Sequence, residues 1–224
     1  MDTGSTWITD CTFVDNEAGS TGGAVMLTGK SGYEMHRITG CIFWRNRTLQ
    51  ATGGGGALSW DRSGGVLRGN TFVECFADAV GSVLAIDQEL TERLEMDHNV
   101  FAYNSGAPAL FLGPSSEQPI AGCNLFWDNE EGNWYLYESD ETDLFVDPRL
   151  CDLINGSEFT GDLSVADASP CLPSNSSCGE LIGARGEGCT DLAVEATTWG
   201  AIKGMYRAPA AAYRGQTNSR SGRE

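Results

Sequence analysis

The sequence predicts an all-β fold: a right-handed parallel β-helix, or solenoid, of about five rungs that ends in a cysteine-rich C-terminal cap. Three observations predict it. A motif of phenylalanine and asparagine recurs about every 29 residues, glycine-rich turns precede short strand-like segments, and four cysteines crowd residues 151–189. No stretch before residue 151 shows the apolar period of an α-helix. We therefore expect the repeated unit to consist of short strands and turns.

The clearest repeat is a Phe-x-x-Asn motif. Its copies begin at Phe13, Phe43, Phe72, Phe101 and Phe126, which are separated by 30, 29, 29 and 25 residues. Its last position holds Asn16, Asn46, Asn104 and Asn129, with Cys75 in the asparagine position of the third copy. A unit of this length without helices cannot bury its own apolar face, so neighbouring units should stack like residue on like residue. We expect an internal file of phenylalanine rings and a ladder of buried, hydrogen-bonded asparagine amides.

A glycine-rich turn and a short strand follow each motif. Residues 22–27, 55–60 and 81–86 share this pattern, and they place Ala24, Ala57 and Val83 at one position. Side chains alternate between the two faces of a strand, so we expect these small residues to line a narrow inner corner of the coil.

These Gly-Gly-Ala and Phe-x-x-Asn motifs resemble the repeats of polymorphic outer-membrane proteins. More broadly, they resemble right-handed β-helix proteins of the pectate-lyase-like superfamily. The resemblance covers roughly residues 6–137. It implies the β-helix fold and a secreted or surface-exposed bacterial protein. It also makes a carbohydrate-active enzyme an alternative, because polysaccharide lyases and pectin hydrolases share the superfamily.

The chain divides by pattern into four parts. Residues 1–143 carry the β-helix repeats, and residues 144–191 form the expected last rung and the disulfide-containing cap. Residues 192–207 look like the short C-terminal segment of some secreted bacterial proteins, and residues 208–224 form an expected disordered tail. The chain begins inside a repeat and without a signal peptide. We therefore expect further rungs and a signal peptide upstream of Met1.

Cysteines indicate an oxidising compartment, extracellular or at the bacterial cell surface. Four of them, Cys151, Cys171, Cys178 and Cys189, allow three pairings. Order along the chain favours Cys151–Cys171 and Cys178–Cys189. A zinc site is the alternative, but it lacks the close ligand spacing and the nearby histidine that such sites show.

Three further cysteines, Cys11, Cys41 and Cys123, lie at or beside an inward column of the repeat. A buried thiol at such a position acts as a small apolar side chain. Stacked side chains run parallel, with their Cβ atoms further apart than a disulfide prefers. We expect these three thiols to be free.

Composition limits the partners. The formal charge is −17, from 14 Lys+Arg against 31 Asp+Glu. Such an acidic surface repels nucleic-acid phosphates, and no apolar run is long enough for a membrane helix. We expect a monomer whose possible partner is a polysaccharide or a cell-surface glycan.

Few residues indicate a catalytic, cation-binding or sugar-binding site. Asp61 and Asp87 follow the inner-corner position by four residues each, so they should stack on adjacent rungs. Two carboxylates that close share a proton or bind a cation such as calcium, unless the adjacent Arg62 neutralises them. Trp44 and Trp127 follow the motif phenylalanine, and outward-facing indoles stack on sugar rings or pack under a loop.

The motifs of the pectin hydrolases are absent, and His36 and His98 occupy different repeat positions, typical of turn histidines. No cofactor is required by these residues, and calcium is the one possible ion. We therefore expect a non-catalytic structural, adhesin or glycan-contacting protein. The alternative is a lyase or glycoside hydrolase that uses Asp61, Asp87 and Arg62.

Overall fold

The computed structural model describes residues 4–29, 34–50, 53–86, 93–114, 116–151 and 163–190. These residues form a parallel β-solenoid, which confirms the predicted fold class. Asp87, the 192–207 segment and the 208–224 tail lie outside the described residues, and the expectations for them stay predictions.

Three parallel sheets of five strands each form the walls of the coil. The first contains β1 (Trp7–Thr9), β5 (Met35–Thr39), β9 (Gly64–Arg68), β12 (Leu94–Asp97) and β15 (Ile120–Gly122). The second contains β2 (Thr12–Val14), β6 (Ile42–Trp44), β10 (Thr71–Val73), β13 (Val100–Ala102) and β16 (Leu125–Trp127). The third contains β4 (Val25–Thr28), β8 (Leu58–Asp61), β11 (Leu84–Ile86), β14 (Leu110–Leu112) and β17 (Trp134–Tyr135).

Two smaller parallel pairs complete the strands. They are β3 (Glu17–Ala18) with β7 (Arg47–Thr48), and β18 (Val165–Ala166) with β19 (Glu187–Cys189). Between β1 and β15 the chain completes four full turns, slightly fewer than the five rungs expected. The last coil is irregular: Leu144 pairs with Leu125 through a single parallel bridge below β16.

The motif phenylalanines lie one above another inside the coil. In the second sheet, strand register pairs Phe13 with Phe43, Phe43 with Phe72 and Phe72 with Phe101, and Phe126 follows. Their rings stack with centroids 4.8–5.2 Å apart. All but the first are almost fully buried. One strand position therefore supplies the centre of the core, since parallel register repeats the same side chain at each rung.

Asparagine side chains form two ladders at the corners on either side of the second sheet. In the predicted ladder, the Nδ2 of Asn16 donates to Oδ1 of Asn46 (2.9 Å), and Asn104 donates to Asn129 in the same way (2.9 Å). Cys75 interrupts the amides, but its backbone N–H donates to Oδ1 of Asn104 (2.9 Å).

A second ladder occupies the corner before the second sheet. Asn70 donates to Asn99, and Asn99 donates to Asn124, through both backbone N–H and side-chain Nδ2. Asp143 ends it by accepting the backbone N–H of Asn124 (2.9 Å) and the hydroxyl of Tyr137 (3.1 Å). A carboxylate only accepts, so it completes a ladder in which each rung donates to the next.

Replacing Asn99 by alanine is expected to lower the free energy of unfolding by about 2 kcal/mol. The change leaves two donors of Asn70 and the carbonyl of Leu67 without partners in a buried corner. Asn99→Cys, which copies Cys41 of the same column, should cost less. Urea titration measures the effect, with Asn16→Ala at the exposed end of the other ladder as the control. Equal effects of Asn99→Ala and Asn16→Ala would contradict this role.

The cysteine-rich segment covers a flank of the coil as well as its end. The ring of Phe145 stacks on Phe126 (6.0 Å) and extends the phenylalanine file. Leu163, Val165 and Ile182 then pack against the outer face of the second sheet. Backbone hydrogen bonds secure this cover, from Gly183 N–H to the carbonyl of His98 (2.7 Å) and from Ala184 N–H to Oγ1 of Thr71 (2.9 Å).

The predicted disulfide pairing is wrong. The structure pairs Cys123 with Cys178 (Cα–Cα 5.9 Å) and Cys151 with Cys189 (Cα–Cα 6.0 Å), and it leaves Cys171 free. The order of the cysteines along the chain did not predict these partners, because the C-terminal cysteine-rich segment folds back onto the corner after β15, where Cys123 lies. Cys171 instead packs among apolar side chains, and burial raises the pKa of its thiol to about 12.

The expected free state of Cys11 and Cys41 is confirmed, whereas that of Cys123 is wrong. The thiol of Cys41 is buried, and its Sγ accepts the backbone N–H of Cys11 (3.4 Å), so it takes the asparagine position of the ladder. Two disulfides are typical of a protein that folds in an oxidising environment.

Candidate functional site

The acidic pair proposed from the sequence is only half described. Asp61 ends β8 and is 8% exposed. Arg62 follows it as an exposed corner residue with a φ of 52°. Asp87 lies outside the described residues, so the stacked pair and its calcium ion stay a prediction. Within the described ranges, no three His, Cys, Asp or Glu side chains converge as a metal site requires.

The structure excludes Trp44 as an exposed platform for sugars. It does point out of the coil, but the C-terminal cover buries it to 4% exposure. Its Nε1–H donates to Oε2 of Glu74 (2.7 Å), and the Arg45 guanidinium lies 3.9 Å from its ring centroid. Trp127 is half-buried against the same apolar cluster. The outward direction expected for Trp44 and the alternative that it packs under another segment are both confirmed, and the covering segment is the C-terminal one.

A depression lies at the corner between the second and third sheets. We call it the corner groove; its volume is about 480 Å³. Its lining residues are Asp15, Arg45, Arg47, Leu49, Glu74 and Phe76. They come from three successive rungs, so the groove crosses the rungs instead of following one of them.

Backbone conformation places one set of lining residues in a column. Asp15, Arg45 and Glu74 share the third motif position, and each adopts left-handed backbone, with φ of 54°, 52° and 51°. Such a conformation costs roughly 1–2 kcal/mol for a residue other than glycine. The hydrogen-bonded ladder residue that follows each of them offsets that cost and holds the corner rigid. The three side chains therefore leave the coil in one direction.

Opposite charges alternate along the groove. Arg45 bonds Asp15 (2.8 Å), and Nε of Arg47 bonds Glu17 (2.8 Å). All four side chains are 41–58% exposed, and exposed ion pairs contribute little to stability. Their guanidinium and carboxylate groups can therefore exchange these bonds for bonds to a ligand at small cost.

An apolar surface adjoins the charges. Leu49 is 51% exposed, and Phe76 is half-buried. Gly106 makes room for the Phe76 ring, since a Cβ there would lie 2.6 Å from the ring. Phe76 was not among the residues predicted from the motif, although it follows the ladder position just as Glu17 and Arg47 do. Comparing that column across the repeats would have found it.

A smaller cleft of about 230 Å³ lies beside the first sheet, with Glu95, Asp97 and His98 in its wall. His98 Nδ1 is 3.6 Å from Oδ1 of Asp97, and Arg68 bonds both Asp97 (2.6 Å) and Glu180 (2.7 Å). Both ring nitrogens of His98 are buried and lack hydrogen bonds among the described atoms. The ring therefore presents no base to a bound molecule in this conformation.

The two histidines differ in setting. His98 is a corner residue, as predicted, with a φ of 55°. His36 is not a turn residue, because it faces inward from β5 and is 3% exposed. Burial lowers its pKa, and its Nδ1 accepts the backbone N–H of Thr6 (3.1 Å). His36 therefore serves the core as a neutral side chain.

Among the described residues, no helix has the length and apolar composition needed to cross a membrane. Comparisons with protein-family models, curated proteins and solved structures give no match to this chain. The similarity to the pectate-lyase-like superfamily and to polymorphic outer-membrane proteins therefore stays a prediction from the motifs, and the chain is characterised by its fold as a parallel β-solenoid.

Proposed function

We propose that this protein is a non-catalytic extracellular or cell-surface β-helix that contacts glycans through the corner groove, as an adhesin or structural component. The observation that supports the proposal most is the composition of the groove. Two guanidinium groups, two carboxylates and one phenyl ring lie together on a rigid corner of the coil. The disulfides agree with an extracellular setting.

A sugar ring offers hydroxyls that donate and accept, together with an apolar face of C–H groups. The carboxylates of Asp15 and Glu74 accept hydrogen bonds, and the guanidinium groups of Arg45 and Arg47 donate them. Phe76 provides a ring against which the apolar face can pack. This combination suits a ligand that offers both hydroxyl groups and an apolar face.

The same residues favour binding over hydrolysis. Glycosidases use a pair of carboxyl groups on opposite sides of the scissile bond, one of which is protonated. In the groove, Asp15 bonds the guanidinium of Arg45, and Glu74 accepts a hydrogen bond from Trp44. Each carboxylate is therefore already held by a donor side chain, whereas a general acid must present its proton to the leaving-group oxygen.

A glycan array, followed by calorimetry with the best ligand, tests the proposal. Phe76→Ala and Arg47→Ala are each expected to weaken binding about tenfold or more, equivalent to about 1.4 kcal/mol. Arg37→Ala, an exposed arginine on the first sheet, is the matched control and should bind normally. Unfolding midpoints of all variants verify that the coil is intact.

Two results would contradict the proposal. Unchanged binding by both groove variants would remove the groove as the site. Release of shortened sugars, detected by mass spectrometry of the incubated ligand, would favour the enzyme. Asp61→Asn and Asp87→Asn then determine whether the acidic pair performs that reaction.

A further inference from the structure

We propose that the corner groove binds an uncharged linear polysaccharide whose chain runs parallel to the coil axis, with one sugar residue beside each rung. This inference rests on the proposed function and specifies the ligand class and its direction. It is carried by two features of the groove: its course across three rungs and its balance of charges.

The course of the groove gives the direction. Asp15, Arg45 and Glu74 belong to successive rungs and occupy the same corner position. The spacing between rungs is given by the neighbouring ring centroids of Phe13, Phe43 and Phe72, which are 4.8 Å apart. A sugar residue in an extended chain has a similar length. A chain laid along a single rung would reach Asp15 or Glu74, but not both.

The charges give the ligand class. Within the column, Arg45 lies between the carboxylates of Asp15 and Glu74, and beside it Arg47 is paired with Glu17. Among the described lining residues, positive charge is not in excess of negative charge, and the protein as a whole carries −17. A polyuronate or sulfated chain would meet repulsion both near the groove and at long range. The hydroxyls of a neutral chain meet alternating acceptors and donors instead.

Calorimetry with oligosaccharides of one to six residues tests both parts. The probes are neutral cello-, xylo- and manno-oligosaccharides, with oligogalacturonides as the charged comparison. For a neutral series, affinity should rise at least about tenfold from one to three residues and then level off. It should change little with added salt, because no charge on the ligand is screened.

Variants at the two ends of the groove test the direction. Asp15→Asn and Glu74→Gln alter the first and third rungs, and each should weaken binding of the trisaccharide more than binding of the monosaccharide. Glu95→Gln, an exposed carboxylate on the first sheet, is the matched control. If only one of these two variants weakens binding of the trisaccharide, the proposed direction of the bound chain along the coil axis is wrong.

The possible failures are distinguishable. Tighter binding of oligogalacturonides than of neutral chains, or an affinity that does not rise from one to three sugar residues, would overturn this inference. Either result would leave the proposed glycan binding by the corner groove intact. Absence of binding by every neutral and charged probe, with a glycan array that is also blank, would overturn the proposed function itself.

Discussion

Replacing Phe72 by alanine is expected to lower the free energy of unfolding by about 4 kcal/mol. The side chain is fully buried, and its ring stacks on Phe43 (4.8 Å) and on Phe101 (5.2 Å). Its loss removes apolar contact on both sides and leaves a cavity in the middle of the file. Backbone pairing on both sides prevents the neighbouring rungs from closing that cavity.

Phe13→Ala is the matched control for this prediction. Phe13 occupies the same motif position at the first rung, but it is half-buried and stacks on a single ring. Its replacement should therefore cost roughly half as much or less. Guanidinium titrations followed by circular dichroism compare the two variants. A Phe13 effect as large as that of Phe72 would contradict the description of Phe72 as the more deeply buried of the two rings.

Loss of the Cys123–Cys178 disulfide is expected to destabilise the protein by about 4 kcal/mol, because the bond closes a long loop. The two cysteines are 55 residues apart in the chain. The bond also fastens the C-terminal cover to the corner beside the first sheet, where Arg68 and Glu180 form an ion pair. Cys123→Ser with Cys178→Ser removes it, and Cys11→Ser at an exposed free thiol serves as the control.

Peptide mapping under non-reducing conditions checks the pairing independently of stability. Cross-linked peptides should contain Cys123 with Cys178 and Cys151 with Cys189. Alkylation of the folded protein should label Cys11 first, since Cys171 is buried and its thiol pKa is raised to about 12. Recovery of a Cys151–Cys171 peptide would contradict the structure and restore the pairing expected from chain order.

The repeat predicted those features that depend on translation along the coil. Phenylalanines about 29 residues apart become neighbours, and the ladder asparagines follow in the same register. The predictions succeeded because a parallel stack maps sequence period directly onto space. Corner backbone was harder to predict, because Asp15, Arg45 and Glu74 adopt positive φ without glycine.

The repeat could not predict the contacts between the coil and the C-terminal segment. Burial of Trp44, the partners of Cys123 and Cys178, and the apolar setting of Cys171 all depend on where that segment folds back. The segment carries no copy of the motif, so its contacts follow no period.

The amino-acid sequence by itself therefore determined the solenoid, its internal phenylalanine file and its asparagine ladder, since each repeats a local pattern that stacking converts into contacts. Tertiary structure alone decided the disulfide partners and the covered face of the second sheet. These depend on packing between residues that are far apart in the chain and share no common pattern.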